Sequence, residues 1–188
     1  TKLIREKSYI FHCLYVVISP IMTYNIIMIN YKKGGNILLF ILPIFIILID
    51  QITKLLAVRY LQGKAPFVII KNFFQFYYVE NYGAAFGILN EKRIFFIIVT
   101  IIVVISIIFF IIRYSNTLGK PMKIAMAVLL GGAIGNLIDR IRLGYVIDFI
   151  SFKFPGGYNF PVFNIADSFI VIGTILIMIF ILSSELER

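Results

Sequence analysis

Residues 131–168 read GGAIGNLIDRIRLGYVIDFISFKFPGGYNFPVFNIADS, and the fold turns on them. A glycine-bearing apolar segment ends at Asp139, a polar-aromatic stretch follows, and a second apolar segment begins near Val162. Asp139, Asp148 and Asp167 therefore stand where one apolar segment stops and the next starts. Carboxylates are costly beside hydrocarbon, and those found there face a bundle interior or an aqueous cavity and mark function. The pattern predicts two membrane helices with acidic side chains gathered at one membrane surface. It also points to a water-activating pair of aspartates.

Outward from this stretch the same alternation repeats. Of the 188 residues, 61% are hydrophobic and 14% charged, well below the roughly one-quarter charged content of a soluble globule. Apolar runs over Asn36–Val58, Ile94–Ile112, Ile124–Ile138 and Val162–Leu182 approach or reach the ~20 residues needed to cross about 30 Å of hydrocarbon. The expected fold is an all-α polytopic membrane protein, a bundle of four transmembrane helices. Pro43 lies inside the first span, which membrane helices tolerate. Asp50 and Lys54 are four residues apart in it, on one helix face, and can pair. Gly131 and Gly135 repeat at four-residue spacing, which allows close helix approach.

Between the spans, Lys64–Glu91 contains FVIIKNFFQFYYVEN, rich in β-branched and aromatic residues and too polar to span. It reads as strands lying on the bilayer surface. Residues 143–162 read as a polar-aromatic loop punctuated by Pro155, Gly156 and Gly157. Residues 1–35 read as an N-terminal extension: an extra helix, an interfacial segment, or a wrongly assigned start, which the opening Thr1 suggests. Residues 36–188 form the membrane domain. The net charge of +9 fits basic loops that meet anionic headgroups, so membrane lipids and not nucleic acid are the expected partners. Four spans place residues 59–93 and 139–162 on one side. Eight Lys and Arg fall there, against six on the other side or nine with the N-terminal three, and so small a bias sets no orientation.

The inventory narrows the chemistry. No HExxH or comparable ligand set is present, so neither a metal nor a cofactor is expected. The one histidine, His12, and the one cysteine, Cys13, lie in the N-terminal extension, which leaves a Ser-His pair without support. Four carboxylates remain at similar depth on the side where loops converge: Asp50, Asp139, Asp148 and Asp167. Two carboxylates within a few ångströms cannot both ionise, so one can polarise a peptide carbonyl while the other takes a proton from water. A span-end carboxylate can also cap a helix or sit among headgroups. Asp139 reads first as an ion-pair partner of Arg140, Arg142 or another loop cation. A proton relay in a small transporter would use the same residues, but would spread them through the membrane depth.

Five blocks in order, DQITK (50–54), NYGAAFG (81–87), GGAIGNLIDR (131–140), GYVIDF (144–149) and FNIADS (163–168), resemble the motif set of lipoprotein signal peptidase, signal peptidase II. The resemblance covers about residues 36–183. It implies a catalytic dyad of Asp148 and Asp167, and an enzyme cutting a prolipoprotein just before its diacylglyceryl-modified cysteine. It further implies a small β-cradle and a membrane-surface loop on the outer side. Both core ends would then be cytoplasmic, in the bacterial inner membrane. A monomer is expected. By position, Asn164 orients the dyad or binds substrate backbone, and Asn81 and Asn136 bond the substrate peptide. Arg140 fixes the loop or meets substrate carbonyls, and Asp50 with Lys54 braces the first span. An N-terminal extension of this length departs from the family pattern.

Overall fold

In hydrocarbon a helix satisfies every backbone polar group within its own segment, so long apolar runs become helices. The computed structural model describes residues 37–83, 93–115, 117–154 and 156–186. From Leu38 onward these belong to one unit. The expectations for residues 1–35, and for the end of the NYGAAFG block, lie outside the described residues. Four helices among those described are long and apolar enough to cross a bilayer: α1 Ile37–Leu61, α2 Arg93–Arg113, α3 Lys120–Arg142 and α4 Ile165–Leu186. Helix α3 starts earlier than its apolar run, because Gly119 is extended and Pro121 occupies the first turn, where a missing N–H costs nothing. Helix α4 starts later, at Ile165, because Asn164 caps it.

Three strands form an antiparallel sheet in the order β1 (Phe67–Ile70), β2 (Phe74–Asn81) and β3 (Val146–Phe152). The first two fall where surface strands were expected. The third corrects the reading of residues 143–162 as a loop. Val146 to Phe149 are all buried, so the strand lacks the polar alternation that marks a half-exposed one. Asn72 takes φ 61° in the turn joining β1 to β2, a conformation asparagine tolerates. Ala57, Ile147 and Phe149 form a small core, with Val58 and Leu61 of α1, Phe76 of β2 and Ile165 of α4 against it. The sheet therefore sits where α1 ends and α4 begins.

Helix α3 is the centre of the bundle, and its glycines set the spacing. A Cβ on Gly132 would lie 2.5 Å from the Ala166 carbonyl oxygen, and one on Gly135 would lie 2.7 Å from Asp50 Oδ2. Both contacts are too short for any side chain, so glycine is what lets α1 and α4 close on α3. Arg93 at the start of α2 donates to the carbonyls of Arg140 at 2.8 Å and Ile141 at 2.7 Å. It thus satisfies acceptors that the end of α3 leaves without helical partners.

Candidate active site

Each polar residue reaches the site by local periodicity. On α1, Asp50 and Lys54 are one turn apart. On α3, Asn136, Asp139 and Arg140 lie three and four residues apart. In the sheet, Asn81 pairs with Val146, and Val79 pairs with Asp148. Asn81 and Asp148 are therefore diagonal neighbours on one face. Asp167 stands in the first turn of α4.

Helix α4 begins with a reciprocal cap. Asn164 Oδ1 accepts from the Asp167 N–H at 2.8 Å, and Asp167 Oδ2 accepts from the Asn164 N–H at 3.2 Å. This is a capping box with Asn and Asp in place of the commoner pair. The Ala166 N–H, another donor left over by the helix start, goes to Asp50 Oδ1 at 2.9 Å. The helix start thus fixes the Asp167 carboxylate, and its positive end attracts negative charge.

The two carboxylates of the expected dyad are bound by asparagines. Asn81 Nδ2 donates to Asp148 Oδ2 at 2.9 Å, and Asn164 Nδ2 donates to Asp148 Oδ1 at 2.7 Å. Asn136 Nδ2 donates to Asp167 Oδ1 at 2.6 Å. Asn164 Nδ2 also reaches Asn136 Oδ1 at 3.1 Å, so the amides link the two acids. Asp148 is 1% exposed. Burial, and then the charge of Asp167, push its pKa up to about 7, against the pull of the Asn81 and Asn164 donors and of Lys54. Asp148 and Asp167 therefore lie within electrostatic reach, and the charge of Asp167 disfavours ionisation of Asp148.

Beneath the pair lies a buried ion cluster. Lys54 Nζ is 2.8 Å from Asp50 Oδ2 and 2.9 Å from Asp139 Oδ2. It also donates to Asn136 Oδ1 at 2.9 Å, so all three ammonium hydrogens have acceptors. The pairing of Asp50 with Lys54 is as the sequence suggested. The partner of Asp139 is not. It pairs with a lysine inside a span, and not with Arg140, Arg142 or another loop cation. The reason is angular: Arg140 follows Asp139 by one residue and so points about 100° away around the helix. Its guanidinium lies 5.0 Å from the Phe96 ring centroid and donates to the Gly83 carbonyl at 3.4 Å. Asp167, Asp148 and Asp139 all lie within its electrostatic reach.

Sequence reasoning missed Gln51. Its Nε2 bridges Asp50 Oδ2 at 3.2 Å, Asp139 Oδ1 at 3.0 Å and the Gly135 carbonyl at 3.3 Å. Its place beside Asp50 in the DQITK block was the available signal. Asp139 also accepts the Ile147 N–H at 3.2 Å, which ties the end of α3 to β3 beside Asp148.

The arrangement suits general acid–base hydrolysis by two coupled carboxylates. Residues 42–183 match the family model described as signal peptidase (SPase) II. The chain belongs to the signal peptidase II family. A lipoprotein signal peptidase of Clostridium tetani is 44% identical over 139 residues, 74% of this chain and 88% of that relative. One from Caldanaerobacter subterraneus subsp. tengcongensis is 49% identical over 135 residues, 71% of this chain and 88% of the relative. A solved bacterial membrane enzyme, determined by the in meso method at 2.3 Å, superposes with a TM-score of 0.74. It is 38% identical and covers 84% of this chain and 94% of its own. As a signal peptidase II, this is a multi-pass bacterial membrane protein and an aspartic peptidase. All the site residues described lie within or beside the matched span.

Proposed function

We propose that this signal peptidase II removes the signal peptide of a diacylglyceryl-modified prolipoprotein, cutting just before the lipidated cysteine, with Asp148 and Asp167 as catalytic residues. The observation that carries the reading is the linked pair of carboxylates: Asn81 and Asn164 hold Asp148, Asn136 holds Asp167, and Asn164 bonds Asn136. Asp148, whose carboxyl is raised to about 7 by burial and by Asp167, serves as the acid, and Asp167 at the start of α4 serves as the base. Asp167 takes a proton from a water molecule, whose oxygen attacks the scissile carbonyl carbon. Asp148 gives its proton to the carbonyl oxygen as the tetrahedral intermediate forms. Collapse breaks the C–N bond: a hydroxyl of the intermediate returns its proton to Asp148 as the new carboxyl forms, and the proton held by Asp167 passes to the departing amine. The asparagines that hold both acids keep them placed through the cycle.

The site lies where the sheet meets α1, the end of α3 and the start of α4. That level suits a substrate whose acyl chains stay in the bilayer while its peptide reaches the headgroup region. The orientation that follows has both ends of the bundle cytoplasmic and the dyad near the outer face of the inner membrane, one copy carrying a whole site. Purified protein with a synthetic diacylglyceryl-modified precursor tests this, with the cleaved bond located by mass spectrometry. Asp148→Asn and Asp167→Asn should each reduce cleavage at least about 1,000-fold, as expected when a paired acid and base act as a unit. Processing by either variant at the wild-type rate rejects the dyad.

A further inference from the structure

The proposed mechanism uses the dyad and its asparagines and gives no part to the buried Lys54. Its place in the network has a consequence for hydrogen-bond direction. A side-chain amide has an accepting end and a donating end, and which end points where is decided by its neighbours. Each of the three asparagines at the dyad has its oxygen claimed by a group able only to donate. Asn164 Oδ1 takes the Asp167 N–H at 2.8 Å, and Asn81 Oδ1 takes the Gly83 N–H at 3.0 Å. Asn136 Oδ1 takes Lys54 Nζ at 2.9 Å, and Asn164 Nδ2 at the longer 3.1 Å. The first two locks are backbone groups that no substitution of a side chain removes. The third is a side chain from another helix.

We infer that Lys54 is a positioning residue for the dyad: by occupying the oxygen of Asn136 it holds the Asn136 N–H toward Asp167 and fixes that carboxylate in place as the proton acceptor. The inference deepens the dyad reading and rests on it. The geometry leaves little slack. Lys54 is 1% exposed, and its other two acceptors are Asp50 and Asp139 at 2.8 and 2.9 Å. Asp50 is itself held by the Ala166 N–H, and Asp139 by the Ile147 N–H. The ammonium is thus fixed from both sides by groups tied to α4 and β3. Without it, the Asn136 oxygen keeps only the Asn164 Nδ2 donor at 3.1 Å, a group that also serves Asp148 at 2.7 Å, and the amide is held less firmly with its donor toward Asp167. The charged groups within reach of Asp167 are Asp148 of β3 and Arg140 of α3, with Lys54, Asp50 and Asp139 behind Asn136. Glu80 of β2 is turned instead to the Tyr78 and Tyr82 hydroxyls.

The test is a pH–rate series on the full-length enzyme with the synthetic lipidated precursor. Lys54→Met leaves Asp50 and Asp139 without their cation, so Asp50→Asn/Lys54→Met, which keeps the local net charge and the acceptor for Ala166, is made beside it. The expected result is a fall in kcat of about tenfold or more, the size of losing a charge-assisted donor, with KM unchanged within about twofold. The acid limb should move to higher pH. Asn136→Ala should lower kcat by a similar factor, and combining it with the lysine change should add little, since both remove one interaction. Losses that multiply, or a rate that falls equally at every pH, overturn the inference. So does failure of the charge-balanced variant to fold, which would assign Lys54 to folding alone. Cleavage by Asp148→Asn or Asp167→Asn would instead overturn the dyad, and is read separately.

Discussion

Asp148 is opposed in its ionisation first by burial and then by Asp167, and its pKa rises from 3.8 to about 7. Two outcomes follow. The folded protein binds a proton here that the unfolded chain has lost, so between about pH 4 and pH 7 this group makes stability fall as pH rises. A rise of that size is worth about 4 kcal/mol at most. Asp148→Asn has no such titration, so its melting temperature, followed from pH 4.5 to 8, should lack that decline. A wild-type slope unchanged in the variant would count against the raised acid. In activity, kcat/KM should fall above about pH 7 as the dyad loses its proton, read from initial rates across pH 5.5–9. Asp148 and Asp167 were legible in the sequence because they sit in ordered blocks that resemble a known family. The asparagine amides were less so. Asn81 and Asn136 suggested contacts to substrate, whereas the structure aims both at the carboxylates. Sequence spacing gives the face a side chain occupies, but not the acceptor that wins it.

At the scale of the element, the start of α4 joins stability to the site. Asn164 is at once the helix cap and a donor to Asp148. Asn164→Ala should therefore cost about 1–2 kcal/mol in cap energy and lower kcat by more than that loss of folded protein explains. Thermal melts and rates on the same preparation separate the two. Gly132 is the second sensitive place, because a methyl there meets the Ala166 carbonyl 2.5 Å away. Gly132→Ala should destabilise by about 1–3 kcal/mol, the usual range for overpacking, and shift the Asp50–Ala166 contact beside the dyad. A melt within 1 °C of wild type would show that α4 has room to move. The four helices were legible because uniform apolar runs have few alternatives in a membrane. The third strand was not, because the signal that would reveal it, polar residues alternating with apolar ones, vanishes when both faces are covered. The flanking turn residues, Gly144 before and Gly156 after, were the remaining clue, and they fit a loop equally well.

Across the whole molecule, polar and apolar surface are inverted relative to a soluble protein. Asp50, Lys54, Asp139, Asp148 and Asn164 are at most 1% exposed, while Ile94, Ile102 and Ile105 of α2 are 58% exposed or more. Helix α2 buries only Ile107, with Phe96, Ile97, Thr100, Val104, Ile108 and Ile111 half-buried on the same face, so the rest of its circumference is left to acyl chains, which solvate leucine and isoleucine as well as a protein core does. Strand β1 is exposed along its length, yet consists of Phe67, Val68, Ile69 and Ile70, and Lys64 and Lys71 flank it. An apolar strand between lysines belongs at the interface, its side chains toward lipid and its cations toward headgroups. These two environments give a depth measurement. With Cys13 replaced by serine, single cysteines at Ile102 and at Gly156 can carry an environment-sensitive fluorophore in bilayers containing brominated acyl chains. The Ile102 probe should be quenched strongly by mid-chain bromine and not by aqueous iodide, and the Gly156 probe the reverse. A probe at Ile69 should respond best to bromine near the headgroup. If Ile102 were reached by iodide, α2 would face water or protein instead of lipid. The headgroup level proposed for the dyad would then have to be drawn again.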